Sequence, residues 1–429
     1  MSTTYGFETL SIHAGAGPDP ATGARALPIY QTTAYAFDDA DHAAALFNLQ
    51  TVGFIYSRLT NPTNAALETR LATLEGGRGC TVTASGHSAQ VLALFPLMRP
   101  GDEVVASSRL YGGSLQQMRN TYPKFGWKAQ VVDADTPDNF KRALTDTTKA
   151  FFIESLANPG GVISDIEAIA RIADDAGIPL IVDNTMATPW LCKPIDYGAT
   201  LIIHSTTKFL CGTGTSMGGA VVDSGKFDWA KGGKFPSLAG PEPAYHGLNF
   251  FESFGDMAYT FHSHAVGLRD LGPTQAPMNA WLTMLGMETL GLRMERHCAN
   301  ALKVAEWLEK HPAVAWVNYA GLPANKYNAL AKKYLPKGAG SIFTFGVKGG
   351  YEVGTKVVDS VDLFSHVANI GDAKSLIIHP ASTTHRQLSD EQRVAAGAGP
   401  DVIRLSIGIE TVEDIIADLE QALAKATGA

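Results

Sequence analysis

Hydrophobic runs that stop abruptly at polar residues set the rhythm of this chain. Leu201–Ile–Ile–His–Ser–Thr–Thr–Lys208 is apolar and β-branched at its start and polar at its end, and it predicts a buried strand that delivers Ser205, Thr206, Thr207 and Lys208 to one edge of a sheet. Ile178–Pro–Leu–Ile–Val–Asp183 does the same for an aspartate, through a strand expected over Pro179–Val182. Between such runs the apolar period is helical. Ser164-x-x-Glu167 reads as a capping box, Ile166, Ile169, Ile172, Ala173 and Ala176 share one face, and Gly177 is placed to end the helix. A long helix is predicted from near Met287 to Lys310, with Leu290, Met294, Ala301, Ala305 and Leu308 inward and His311–Pro312 as its stop. Near the end, Ile403, Leu405, Ile407 and Ile409 face one way on a strand over 403–409. Arg404 and Ser406 face the other, and Thr411 is expected to cap a last helix carrying Ile415, Ile416, Leu419 and Leu423.

Alternating strands and helices imply an α/β fold with a mostly parallel central sheet, followed by a smaller C-terminal α+β domain. Residues 1–65 are rich in Gly, Pro, Thr and Tyr with weak periodicity and read as an arm. Residues 66–276 read as the α/β domain, and 277–429 as the smaller one. Residues 224–276 break the rhythm and read as a long loop region near the mouth of the site. Ligands of parallel sheets bind at the carboxyl ends of the strands, where Asp183 and Lys208 are both expected.

A length of 429 residues suffices for two cores, and a 45% hydrophobic fraction is that of a soluble globular protein. The net charge of −8 argues against nucleic acid or an anionic membrane as the main partner. Met1–Glu8 lacks a basic segment ahead of an apolar core, so no signal peptide is expected, and Val91–Met98 is too short to span a bilayer. Cys80, Cys192, Cys211 and Cys298 lack Cys-x-x-Cys spacing and read as packing residues of a cytoplasmic protein. Gly212-x-Gly214 lacks the third glycine of a dinucleotide site. His262-x-His264 has no set of partners for a metal.

The chemistry is carried by Lys208 and Asp183. A free lysine is neutral in roughly one molecule in 2,500 at pH 7, so nucleophilic work needs burial or a nearby cation. A lysine and an aspartate at neighbouring strand ends suit pyridoxal phosphate (PLP): the lysine forms the imine and the acid keeps the ring nitrogen protonated. Taken alone, Asp183 fits a helix cap equally well. Candidates for the phosphate are the helix start in Ala84–Ser–Gly–His–Ser–Ala–Gln90, the hydroxyls of Ser205 and Thr207, and Tyr56 with Arg58 in the arm. Tyr111 offers a face for ring stacking or for packing. Arg404, on an apolar strand, serves as a carboxylate clamp or in a structural ion pair.

Taken together, the chain resembles the Cys/Met-metabolism (transsulfuration) family of PLP enzymes nearly from end to end. The resemblance is carried by Tyr56–Ser–Arg–x–x–Asn–Pro–Thr63, Ser85–Gly–His–Ser–Ala–Gln90, Leu110–Tyr–Gly–Gly–Ser114, Val182–Asp–Asn–Thr185, His204–Ser–Thr–Thr–Lys208, His379–Pro–Ala–Ser–Thr–Thr–His385 and Ile403–Arg–Leu–Ser–Ile–Gly–Ile–Glu410. Pro28–Ile–Tyr–Gln–Thr–Thr33, Tyr245–His–Gly247 and Asn369–x–Gly–Asp–x–Lys–Ser–Leu376 are similar to the branch acting on O-acetyl-L-homoserine.

The resemblance implies the aminotransferase-like PLP fold type I and a homotetramer built as a dimer of dimers. It implies that Lys208 carries PLP, that Asp183 partners the ring nitrogen, and that Gly86, His87, Ser205 and Thr207 bind phosphate. Tyr56 and Arg58 would reach the phosphate of a neighbouring subunit. Tyr111 would stack on the ring, with Asn158 near its hydroxyl, and Arg404 and Asn369 would hold the substrate carboxylate. The implied reaction is γ-replacement of acetate by sulfide or a small thiol, giving homocysteine in methionine biosynthesis. O-succinylhomoserine as substrate, cystathionine γ-synthesis, lyase activity and an idle scaffold are the alternatives. Methionine γ-lyases carry a cysteine two residues after the stacking tyrosine; here that residue is Gly113. Cys211–Gly–Thr–Gly–Thr215 departs from the expected Gly–Gly–His–Gly–Thr, and His87 stands where many relatives carry methionine.

Overall fold

The computed structural model describes residues 5–158, 161–384, 386, 387, 389, 391, 393 and 397–428. Residues 1–4, the first half of the segment read as lacking a leader, and His385 lie outside them. Seven strands form the large sheet: β1 (Gly79–Thr83), β2 (Glu103–Ser107), β3 (Lys128–Val132), β4 (Thr148–Glu154), β5 (Leu180–Asp183), β6 (Leu201–His204) and β7 (Gly219–Asp223). Their order is β1-β7-β6-β5-β4-β2-β3. Only β7 runs against the others, pairing antiparallel with β1 and β6, so the sheet is mostly parallel as expected. Ala150–Ile153, Ile181–Val182 and Leu201–Ile203 are fully buried, which is why these strands read as unbroken apolar runs. The smaller sheet holds β8 (Val314–Asn318), β9 (Ile342–Val347), β10 (Ser365–His366), β11 (Leu376–Ile378) and β12 (Val402–Ser406), in the order β8-β9-β12-β11-β10.

Helix ends follow local chemistry. Helix α1 (Pro62–Glu75) starts with Asn61 accepting from Thr63 N at 2.9 Å and with proline in its first turn, and it closes on Gly76 at φ 77°. Helix α2 (Gly86–Leu94) has the reciprocal Ser85–Ser88 capping box.

Five local expectations are corrected. The Ser164/Glu167 box does not form: Asp165 caps α3 (Ile166–Asp175) by accepting from Ala168 N, Ser164 Oγ donates to Glu154 O, and Glu167 pairs with Lys333 at 2.8 Å. The long helix is two, α4 (Pro277–Glu288) and α5 (Leu290–Lys310), separated by Thr289 at φ −108°, ψ 12°. The five inward residues of α5 are buried as predicted. The region 224–276 contains short helices, among them Phe250–Phe254 and Ala258–His262, where closely spaced aromatic side chains pack against one another. Thr411 precedes the last helix, Val412–Thr427, without a side-chain cap bond. Strand bounds also shift, by one residue at each end of β5, while β12 begins one residue earlier than expected and ends three earlier, at Ser406.

Candidate active site

The carboxyl ends of β4, β5 and β6 bring three polar residues side by side. Glu154 is in register with Asp183, and Asp183 with Ile203, so the last residues of β4 and β5 stand beside the turn that begins at Ser205. A cavity of about 240 Å³ opens there. Gly86, His87, Tyr111, Asn158, Asp183, Ser205, Thr207, Lys208, Asn369 and Arg404 all line it. Tyr56 and Arg58 do not. Both are exposed, with the Arg58 guanidinium 5.5 Å from the Tyr56 ring and its Nη1 donating to Arg269 O at 3.0 Å. A larger cavity of about 710 Å³ lies between residues 46–60 and the main body, lined by Leu46, Phe54, Cys80 and His264 among others. It lacks the lysine and acid together.

Lys208 Nζ donates to Asn369 Oδ1 at 2.5 Å. Burial, then the nearby Arg404 cation, hold its ammonium below the usual lysine value. Arg404 is itself pulled down to about 10 by burial and stays charged at neutral pH. Its Nη1 donates to Asn158 Oδ1 at 3.3 Å and its Nη2 to Asn369 O at 3.2 Å. Both carboxylate-clamp candidates are thus joined through one backbone carbonyl, and Asn158 is joined to them as an acceptor.

Burial raises the Asp183 carboxyl, and hydrogen bonds from Thr185 counter this, one of them from Thr185 N at 3.0 Å. Among the described residues no ion pair includes Asp183. Apart from a lesser favourable influence of His204, no cation offsets the burial of this acid, and a protonated pyridine nitrogen would relieve its cost. At the other side of the site, Gly86 approaches Ser205 so closely that an added Cβ would lie 2.7 Å from Ser205 Cβ. That clearance leaves the amides at the start of α2 beside the Ser205 and Thr207 hydroxyls, a donor set suited to phosphate. The Thr207 hydroxyl is held by Gly218, donating to its carbonyl at 3.2 Å and accepting from its N–H at 3.1 Å, so its one proton would have to turn from that carbonyl to reach a phosphate. The His87 ring lies 5.9 Å from that of Tyr111, which is 49% exposed and so has a free face. The residues present therefore fit PLP.

The loop after Lys208 is fastened from behind. The buried Arg293 of α5 donates to Phe209 O at 2.8 Å, Leu210 O at 3.5 Å and Gly286 O at 2.7 Å. Gly212, at φ 72°, leaves it room: a Cβ there would sit 2.2 Å from Arg293 Nη1. This gives the departure at Cys211–Thr215 its setting, with Cys211 Sγ 3.3 Å from Thr213 Oγ1.

Two features escaped the sequence reading. Glu154 ends the run Ala150–Phe–Phe–Ile–Glu154, the same apolar-then-acid pattern that pointed to Asp183, and could have been found by it. The second is a buried network behind the strand ends. Glu75 Oε1 lies 2.6 Å from His204 Nε2 and accepts from Asn184 Nδ2 at 2.8 Å, and Asn184 Oδ1 accepts from Ser155 Oγ at 2.7 Å. His204, Asn184 and Ser155 directly adjoin Ser205, Asp183 and Glu154, so the network fixes the three strand ends against one another. Replacing Glu75 by alanine strands these buried groups and is expected to cost about 3 kcal/mol, read as a lower urea midpoint at unchanged slope. Nothing periodic marks Glu75, since its partners are distant in sequence.

Among the described residues no helix is long and apolar enough to cross a membrane, and no three His, Cys, Asp or Glu side chains group as metal ligands.

Known proteins match this architecture throughout. The O-acetyl-L-homoserine sulfhydrylase of Leptospira meyeri is 51% identical, over 99% of this chain and 98% of its own. The homocysteine synthase of Schizosaccharomyces pombe is 48% identical, over 97% and 98%. A crystal structure from Campylobacter jejuni, of a protein assigned as an O-acetylhomoserine (thiol)-lyase, superposes with a TM-score of 0.95 at 43% identity, covering 98% of this chain and 100% of that one. It carries a pyridoxyl-lysine monophosphate. These matches bear out the expected fold class. The model of the Cys/Met metabolism PLP-dependent enzymes matches residues 8–424, and the chain belongs to that family of PLP-dependent enzymes.

Proposed function

We propose that this enzyme replaces the acetate of O-acetyl-L-homoserine by sulfide or a small thiol, giving L-homocysteine in methionine biosynthesis. The observation that carries the reading is the meeting, in one small cavity, of the Lys208 amine, the Asp183 carboxylate and the Arg404 guanidinium. The names of the relatives support the substrate.

PLP, held covalently by Lys208, supplies an electron sink at the substrate's Cα. Asp183 balances the charge of the ring nitrogen. The α2 amides at Gly86 and His87, with the Ser205 and Thr207 hydroxyls, bind the phosphate. Tyr111 covers the ring face. Arg404 and Asn369 orient the substrate by its carboxylate. Once displaced, Lys208 Nζ would take the proton from Cα and then one from Cβ, which lets acetate depart from Cγ with the bonding pair; sulfide would add at Cγ, and protons would return to Cβ and Cα to give homocysteine. Gly113 fits this outcome: a Cβ there would lie 2.4 Å from the Tyr111 ring and 2.9 Å from that of His87, so the cysteine of the lyases would displace one of them. In this reading the arm carries Tyr56 and Arg58 to the phosphate of a neighbouring subunit in a cytoplasmic homotetramer.

The decisive assay is product analysis with O-acetylhomoserine and O-succinylhomoserine, each with sulfide or cysteine. Homocysteine from the acetyl ester and sulfide is expected; homocysteine from the succinyl ester alone overturns the substrate. A pH experiment tests the lysine. Because burial and Arg404 disfavour its ammonium form, capture of PLP by the cofactor-free protein should accelerate with rising pH and inflect below the ordinary 10.5. Arg404→Ala removes one of the two causes and should move the inflection upward.

A further inference from the structure

The carboxylate of Glu154 is 4% exposed, lines the cavity, and is named in no step of the reaction above. Its Oε1 accepts from Tyr111 N at 2.5 Å and its Oε2 from Asn158 N at 3.2 Å. Those two amides belong to different segments. Tyr111 precedes the short helix Gly112–Gln116, where its N–H has no partner within the helix. Asn158 follows the two-residue strand Leu156–Ala157. Each presents a side chain to the same cavity: Tyr111 its ring, Asn158 the oxygen that accepts from Arg404 Nη1.

We infer that Glu154 is a positioning residue that couples the ring-covering Tyr111 to the Arg404 carboxylate clamp through Asn158. Among uncharged substitutes none reproduces the arrangement, because both oxygens accept from N–H donors. Glutamine supplies one acceptor and turns an NH₂ against the other donor. The site also runs against stability alone. Burial and the adjacent Asp183 push the Glu154 carboxyl well above its usual range, and among the described residues no ion pair includes it. A buried carboxylate beside another acid persists where it organises something. The organised elements here are the two sides between which the amino-acid end of the substrate must sit.

The inference rests on the proposed reaction for the substrate's identity, not for the geometry, and the test separates the two. In the holoenzyme, Glu154→Gln should raise KM for O-acetyl-L-homoserine about tenfold or more, with KM for sulfide, which has no carboxylate, unchanged. Glu154→Asp keeps the charge but is too short to reach both amides, and should show the same split. Normal constants for Glu154→Asp would mean that charge alone matters, and would overturn the coupling. So would equal rises in both KM values. Independently of turnover, hydrogen exchange at the Tyr111 and Asn158 amides of the cofactor-free protein should be slow, and fast for both in Glu154→Gln. If neither variant folds, the unaltered holoenzyme decides. On saturation with O-acetyl-L-homoserine the two amides should gain protection together; a change at only one refutes the coupling. Failure to form homocysteine would sink the proposed reaction and leave the amide result standing.

Discussion

Lys208→Ala is expected to lower turnover by about a thousandfold or more, because in the proposed reaction the same amine both anchors the cofactor and moves two protons, and no neighbour can substitute. Arg404 stays charged at neutral pH, and Asn369 offers the amine only an acceptor. The measurement is twofold: steady-state homocysteine formation, and borohydride reduction followed by peptide mapping. The unaltered enzyme should yield a pyridoxyl-lysine at 208. The variant should yield none, and an undiminished adduct would place the cofactor on another lysine. The fold should survive, since among the described residues the Lys208 side chain makes one hydrogen bond, to Asn369, while its backbone bonds to Ser205 and Gly212 stay in place and its loop is secured by other groups.

Asp183→Asn is expected to cost about a hundredfold or more in turnover. The amide is nearly the same shape and can still accept from Thr185 N, so the loss would report charge and not packing. The sign for stability is the reverse. Burial raises the native carboxyl above its ordinary 3.8, so the folded cofactor-free protein binds that proton more tightly than the unfolded chain. Its contribution to stability is present at low pH and is lost as pH rises through the raised value. Asparagine removes that loss, so cofactor-free Asp183→Asn should unfold at a urea concentration no lower than the unaltered protein at neutral pH. With PLP added, the order should invert. A variant that keeps full activity would refute the pairing of this acid with the ring nitrogen.

What could be read in advance follows from how local each signal is. The strand ends at Asp183 and Lys208 were legible because a buried parallel strand is apolar throughout and its first polar residue marks the edge. The inward set on α5 was legible for the same reason, its period being internal. The break at Thr289 was not, because residues on both sides suit a helix and only their packing against different surroundings separates α4 from α5. Nor was the Ser164 box: its residues match the motif, yet the hydroxyl is drawn to Glu154 O across the chain, leaving Asp165 to cap. Arg404 was recognised from its place on an apolar strand. Its partners, Asn158 and the Asn369 carbonyl, lie 246 and 35 residues away; the resemblance connected it with Asn369, whereas it set Asn158 beside Tyr111, and the bond from Arg404 to Asn158 emerged only in the fold.

The grip of Arg293 on the carbonyls of Phe209, Leu210 and Gly286 bears on how the enzyme can turn over. In the proposed reaction the lysine alternates between carrying a cofactor and shuttling protons and must swing, while the main chain just after it is bolted to α5. Travel is thereby confined to the four-carbon stem of the side chain, so each cycle can return the amine to the same spot without the polypeptide having to find its place again.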